Sequence, residues 1–79
     1  MKIVLVKWVD AASIGGWRSK KAMKEFIKAE LSPVHSVGML VHTDEKKVVL
    51  IQTHGKNEVI GLFEIPRGCI KSIKTIGKV

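Results

Sequence analysis

Seventy-nine residues are enough for one small domain with a modest hydrophobic core, and we expect a single domain over residues 1–79. The chain has one cysteine, which excludes an intramolecular disulfide and the disulfide-rich class of secreted proteins. The formal net charge is +7 and is uneven: residues 18–30 hold five cations and two acids, and residues 66–79 hold four cations and no acid. Clustered positive charge favours an anionic partner, such as a nucleotide, a nucleic acid or an acidic protein surface.

The apolar segments favour a cytoplasmic protein without a membrane partner. Met1 and Lys2 lead directly into the run "IVLV", which is too short for the apolar region of a signal peptide. No apolar run approaches the length of a bilayer span.

The first half of the chain predicts a strand, a loop and a helix. The run "KIVLVKWV" is apolar and β-branched, which is typical of a strand, and the glycine-containing segment "DAASIGGW" ends it. In "SKKAMKEFIKAEL", Ser19 is a candidate N-cap, and Pro33 ends the helix soon afterwards. Apolar residues recur at helical spacing and form one face of this helix: Ala22, Met23, Phe26, Ile27 and Leu31.

The second half predicts four more strands joined by the short turns "DEKK" and "HGKN" and by the corner "PRG". The strands are "VHSVGMLVHT", "VVLIQT", "VIGLFEI" and "CIKSIKTI". Gly38 and Gly61 lie inside strands, where glycine is typical of a bend or a bulge. We therefore expect a mostly β (α+β) fold, a small five-stranded SH3/Sm-like barrel with one helix inserted after the first strand. Edge-strand pairing between subunits and the apolar fraction of 46% favour a homo-oligomer.

The segment "PRG" predicts a tight corner between the last two strands. Pro66 has no N–H and a fixed φ, so it belongs at a strand end, and Gly68 permits a positive φ. Such a corner turns the last strand toward a new partner, which helps to close the barrel, and it presents Arg67 outward.

Two motifs in residues 35–76 resemble those of Sm-like proteins. The first, "VGMLVHTDEKKVVLIQT", carries Gly38, Leu40, Asp44 and Leu50, and the second, "FEIPRGCIKSI", carries Ile65, Arg67, Gly68, Ile70 and Ile73. The resemblance implies a barrel that forms a ring, with the "DEKK" turn facing the central pore beside the Arg-Gly turn. This chain departs from the family pattern in three places: the helix follows the first strand, Pro66 precedes the Arg-Gly pair, and Lys46 and Lys47 replace the usual polar pair.

A second likeness covers nearly the whole chain. The segments Trp8 to Trp17, Ser36 to Leu40 and Gly61 to Ile70 are similar to those of a group of small proteins encoded by phages and prophages. This resemblance implies a viral or prophage origin, and with it the host cytoplasm as the location.

Three cations at the turn and the corner are candidate phosphate ligands. In an Sm-like ring, Lys46, Lys47 and Arg67 would converge across subunits and contact an anionic ligand. The alternative is that "DEKK" is an ordinary solvated hairpin turn.

The segment "SIGGWRSKK" is a second candidate binding region. A glycine-containing loop that leads into a helix N-terminus offers free N–H groups to an anion, and Arg18 and Lys20 add positive charge. Trp17 is placed to stack on a base. The alternative is a flexible loop in which Trp17 packs on the barrel, and Trp8 in the first strand is predicted to belong to the core.

No pattern in the sequence indicates an enzyme, a metal site or a cofactor. His35 and His42 are seven residues apart on one predicted strand and therefore point to opposite faces. Cys69 has no base at a spacing that indicates nucleophilic activation.

These patterns predict a non-enzymatic protein that binds an anionic nucleotide or nucleic acid through a basic surface. One alternative is a phage accessory or anti-defence factor that sequesters a nucleotide signal or inhibits a host protein. The other is a structural piece whose basic face only keeps the chain in solution.

Overall fold

The computed structural model describes residues 1–13 and 15–79, so residue 14, in the predicted loop "DAASIGGW", lies outside the described part. The fold is mostly β and antiparallel, with one helix inserted after the first strand. The elements in chain order are β1 (Lys2–Val9), α1 (Lys20–Lys28), β2 (Pro33–Thr43), β3 (Lys47–Ile51), β4 (Thr53–His54), β5 (Val59–Ile60), β6 (Phe63–Pro66) and β7 (Ile70–Lys78).

Five strands form one sheet in the order β6-β3-β2-β1-β7, and β4 and β5 form a second, two-stranded sheet. The strand order is therefore open: β6 and β7 are the two edges, and no pairing joins them among the described residues. The sequence predicted a closed barrel, whereas the described pairings form this open order. The central strand β1 pairs with both β2 and β7, which places the last strand beside the first.

One face of the five-stranded sheet carries the hydrophobic core. β-Branched and leucine side chains from β1, β3 and β6 are fully buried in it: Val4, Val6, Val48, Leu50 and Ile65. Trp8 packs against this cluster, as predicted, and its Nε1 donates a hydrogen bond to Ser36 Oγ at 3.0 Å. Its ring also lies 5.8 Å from that of Phe63, so an aromatic pair connects β1 to β6 across the core.

Two glycines shape the sheet where the sequence predicts bends. Gly61 has a φ of +78° and interrupts the predicted strand "VIGLFEI", which is why β5 and β6 are separate strands. Gly38 is buried where a Cβ would lie 3.0 Å from the Ile51 carbonyl oxygen, so the close approach of β2 and β3 requires glycine.

The corner "PRG" joins β6 to β7 through a short 3₁₀ turn. β6 ends at Pro66, the turn spans Arg67–Cys69, and β7 begins at Ile70. The predicted corner is present, but Gly68 does not adopt a positive φ, because a 3₁₀ turn uses ordinary right-handed backbone angles.

The helix α1 extends away from the sheet. Ser19 caps it as predicted, with its Oγ accepting a hydrogen bond from the Ala22 N–H at 3.1 Å. All nine residues of α1 are described, and none is buried. The radius of gyration is 16.6 Å, whereas a compact domain of this length has about 12 Å, so the helix is an arm rather than a layer on the sheet. Among the described residues, no helix is long and apolar enough to cross a membrane.

Candidate anion-binding surface

The turn between β2 and β3 is organised by the carboxylate of Asp44. Its Oδ1 accepts hydrogen bonds from the backbone N–H groups of Lys46 at 2.7 Å and Lys47 at 2.8 Å. The Asp44 N–H donates to the Lys47 carbonyl at 3.0 Å, which closes the turn. The predicted "DEKK" turn is therefore a rigid, hydrogen-bonded loop.

Arg67 donates three hydrogen bonds to this turn and the end of β2, one from its backbone and two from its side chain. Its backbone N–H donates to the Lys46 carbonyl at 2.8 Å, its Nε donates to the Asp44 carbonyl at 3.2 Å, and one Nη donates to Thr43 Oγ1 at 3.0 Å. Within one chain, Arg67 contacts the backbone of Lys46, and the convergence of their side chains across subunits of a ring stays a prediction. A guanidinium has five N–H donors, so Arg67 retains donors for a ligand while it holds the corner on the turn.

The local hydrogen bonds lower the pKa of Asp44 to about 2. The main cause is the hydrogen bond to His42, whose Nε2 lies 2.6 Å from Asp44 Oδ2, and the N–H groups of Lys46 and Lys47 add to it. The carboxylate is therefore ionised at neutral pH.

Lys47 is less available to a ligand than the sequence predicted. Its ammonium forms an ion pair with Glu64 on β6, and this partner raises the pKa of Lys47. The pair lies diagonally across the β3–β6 ladder, where Val49 is opposite Glu64. Of the three cations predicted at this end, Lys47 has an acidic partner in Glu64, and its contact with an anion stays a prediction like those of Arg67 and Lys46.

Trp17, Arg18 and Lys20 lie at the N-terminal end of the helical arm. The arm leaves the sheet at the Val9–Pro33 pair, and its nine-residue helix is about 14 Å long. Trp17 is fully exposed, so the expectation that it packs on the barrel is wrong. Among the described residues, the hydrogen-bond partners of Arg67 are Thr43, Asp44 and Lys46, and none of the three side chains at this end of the arm is among them.

Positive charge also lies along the β1–β7 ladder, on side chains that we call the basic ribbon. It consists of exposed lysines, and neither strand contains an acid: Lys2, Lys7, Lys71, Lys74 and Lys78. Lys2 lies on the face of Val4 and Val6, and Lys7 lies on the opposite face. Lys2 lies directly opposite Lys78, and Leu5 lies opposite Lys74, two residues from Lys7. Like charges at such positions repel each other, and a bound anion would relieve that repulsion.

The basic ribbon begins close to the Arg67 corner along the chain. Lys71 is four residues beyond Arg67, and four residues of chain span at most roughly 14 Å. Lys71 also lines a cleft of about 510 Å³ at the base of the helical arm, together with Lys7, Glu30, Leu31 and Pro33. From Lys71 to Lys78 the strand rises roughly 23 Å, so the lysines of β7 form an extended track and are not gathered in a closed pocket.

Reasoning from the sequence missed Lys2 and Lys7. The excess charge of residues 66–79 was visible, but the pairing of β7 with β1 was not, and only that pairing adds the two lysines of the first strand. The sequence did show that "KIVLVKWV" contains lysines and no acid. That observation indicates a basic surface only once β1 is known to pair with β7.

The described residues contain no group of three or more His, Cys, Asp or Glu side chains placed to hold a metal ion. Cys69 is a half-buried free thiol. Comparison with known proteins gives no match, whether to a family model, to a curated protein or to a solved structure.

Proposed function

We propose that this chain is a non-enzymatic protein that binds an anionic nucleotide or nucleic acid as a homo-oligomer, and that Arg67 and the basic ribbon form the contact surface. The observation that carries the proposal is the run of five exposed lysines on β1 and β7 with no acid in either strand. A track of this kind neutralises phosphates and positions a strand without reading its bases.

The shape of the surface favours a nucleic acid over a small nucleotide. A dinucleotide needs its cations gathered in an enclosed site, whereas the basic ribbon extends along the whole of β7. Arg67 adds a guanidinium whose orientation is fixed by the turn, so part of the surface is preorganised before a ligand arrives.

We also propose a specific fold and a source for this chain. We infer an Sm-like barrel from the order β6-β3-β2-β1-β7, from the corner after β6 and from the two motifs quoted above. We infer a phage or prophage source and a cytoplasmic location from the second resemblance. The alternative functions, an anti-defence factor or a structural piece, predict different binding behaviour in one experiment.

The experiment is a titration of a labelled single-stranded oligonucleotide at 50 and 200 mM salt, repeated with a cyclic dinucleotide. If Arg67 and the five lysines each neutralise one phosphate, log K falls with log salt at a slope of about −4.2, and binding weakens about 300-fold. A dinucleotide with two phosphates gives a slope of about −1.4 and about a sevenfold change.

Tight, weakly salt-dependent binding of the dinucleotide alone would favour sequestration of a nucleotide signal. Binding of neither ligand would overturn the proposal and leave a host protein partner or a structural role.

A further inference from the structure

The helical arm presents an apolar face whose side chains are exposed in the described part of the chain. Met23, Phe26 and Ile27 lie on one side of α1, and Ile27 is 71% exposed. The lysines of the helix lie on the opposite side, so the arm is amphipathic. Nine residues are too few for a helix to be stable alone in water, so α1 needs a surface to pack against.

The sheet has an exposed apolar groove of about 350 Å³ between β2 and β6, which we call the sheet groove. Its lining includes Val37, Leu50, Leu62 and Phe63. An apolar cavity of about 150 Å³ is enough for one benzene ring, so the sheet groove has room for the ring of Phe26 and an aliphatic neighbour. Leu62 is 67% exposed, so this surface is also uncovered.

We propose that the apolar face of α1 docks in the sheet groove of a second copy of this chain, so that two chains exchange their helices. The assignment rests on the self-association part of the proposed function and not on its ligand. Both halves of the contact are on the same chain, and a two-fold arrangement forms the contact twice.

The amount of exposed apolar surface fits a specific dimer. Such an interface buries about 800 Å² on each partner. Phe26 in the helix and Phe63 in the groove are 42% and 40% exposed, so each has roughly 60–100 Å² left to bury, and each chain would also supply Met23, Ile27 and Leu62. The core of one chain is small, with six fully buried apolar side chains among the described residues, so added burial has a large effect on stability.

The edges of the main sheet are poorer surfaces for self-association. The exposed edge of β7 carries Lys71, Lys74 and Lys78, and lysines on an edge strand oppose pairing with another chain. The other edge, β6, is four residues long and ends in Pro66, which has no N–H to donate. The helix face and the sheet groove therefore remain as the matched pair of surfaces.

Disulfide trapping between two different full-length chains tests the docking directly. In a Cys69→Ser background, a chain with Ile27→Cys is mixed with a chain that carries Leu62→Cys, after nuclease treatment and under mild oxidation. The matched control replaces Leu62→Cys by Val79→Cys, because Val79 is exposed to a similar degree but lies outside the groove. We expect at least tenfold more mixed dimer from the 27–62 pair than from the control pair. Met23→Cys repeats the test from the same helix face.

Several results would overturn the assignment. Equal yields from the two pairs, or a bridge between two Ile27→Cys chains in place of the mixed dimer, would mean that the helix does not dock in the groove. An intramolecular bridge in one chain with both substitutions would place the helix on its own sheet. A single-chain mass together with cosedimentation on phosphatidylserine vesicles would assign the helix face to a lipid surface. Trapping in the absence of nucleic acid separates this inference from the ligand proposal, which fails only if neither the oligonucleotide nor the dinucleotide binds.

Discussion

The side chain of Arg67 donates from Nε to the carbonyl oxygen of Asp44 at 3.2 Å, so a corner at the end of β6 is held on the turn that precedes β3. This contact joins segments 23 residues apart, so Arg67 stabilises the fold in addition to its proposed role in binding the ligand. The two roles are separable, because lysine keeps the charge but lacks the planar fork of donors.

Arg67→Lys and Arg67→Ala are therefore expected to destabilise the fold similarly, by about 1 kcal/mol, since each loses both side-chain hydrogen bonds. Their effects on oligonucleotide binding are expected to differ: Arg67→Ala lowers the magnitude of the salt slope by about 0.7, and Arg67→Lys leaves it unchanged. Chemical denaturation and binding titrations measure the two effects. Lys46→Ala is the control for stability, because only the backbone of Lys46 holds Arg67. Equal slopes for the two Arg67 variants would contradict a ligand role for this side chain.

Stability should fall at acidic pH partly through Asp44. The folded-state pKa of this carboxyl is about 2, below its ordinary value of 3.8, so the unfolded chain binds more protons between these values. The contribution of Asp44 is fully present above about pH 4 and is lost as the pH falls through about 2. Asp44→Asn should therefore show a shallower loss of unfolding free energy between pH 5 and pH 2 than the unsubstituted chain. Asp10→Asn, which removes a carboxylate from the first loop, is the control. If the free energy of unfolding of Asp44→Asn falls with pH in parallel with that of the unsubstituted chain, Asp44 does not cause the loss of stability.

Lysines of the basic ribbon should matter more for binding than lysines of the helix. Lys71→Ala with Lys74→Ala removes two phosphate contacts, which lowers the magnitude of the salt slope by about 1.4 for a single strand. Lys21→Ala with Lys24→Ala removes the same charge from the helical arm and is expected to change the slope little. Anisotropy titrations at several salt concentrations measure both variants. If the two pairs have the same effect, binding follows net charge and the ribbon is not a site.

Substitutions of Gly38 and Gly68 by alanine test how tightly the sheet is packed, with Gly68 as the control position. A Cβ at Gly38 would lie 3.0 Å from the Ile51 carbonyl oxygen and 3.1 Å from Leu50 Cβ, so Gly38→Ala should destabilise the fold by about 1–3 kcal/mol. A Cβ at Gly68 meets nothing within 4 Å, and the residue has no positive φ, so Gly68→Ala should change stability by less than about 0.5 kcal/mol. Thermal and denaturant unfolding of the two variants compare these sites. A Gly38→Ala variant that is as stable as Gly68→Ala would contradict the close approach of β2 and β3.

The strands of the main sheet could be predicted from the sequence because each has a local signature. The two-stranded sheet could not: "VVLIQT" was predicted as one strand and contains parts of β3 and β4, and "VIGLFEI" contains β5 and most of β6. The apolar β-branched run of residues 2–9 became β1 with the same bounds, and Pro66 marked the end of β6. Gly61 marked the bend between β5 and β6: its φ of +78° favours glycine, and a Cβ there would lie 2.7 Å from the Gln52 side chain. Each of these features depends on a few neighbouring residues, which is the range over which sequence patterns are informative.

The position of the helix and the extent of the candidate site could not be predicted in the same way. Amphipathic spacing shows that α1 has an apolar face, but it does not identify the surface that covers this face. The basic ribbon depends on the register between β1 and β7, which are separated by most of the chain. Lys47 looked equivalent to Lys46 until the β3–β6 pairing placed Glu64 beside it.

The central claim, a self-associating chain that carries a nucleic acid or nucleotide on its basic surface, is tested most directly on freshly purified protein. Light scattering gives the mass of the eluting peak, and absorbance at 260 and 280 nm on the same peak reports bound bases. We predict a mass that is a multiple of the 8.8 kDa chain, with excess absorbance at 260 nm that nuclease removes if the ligand is a nucleic acid. A mass of 8.8 kDa with the absorbance of protein alone would contradict both parts of the claim.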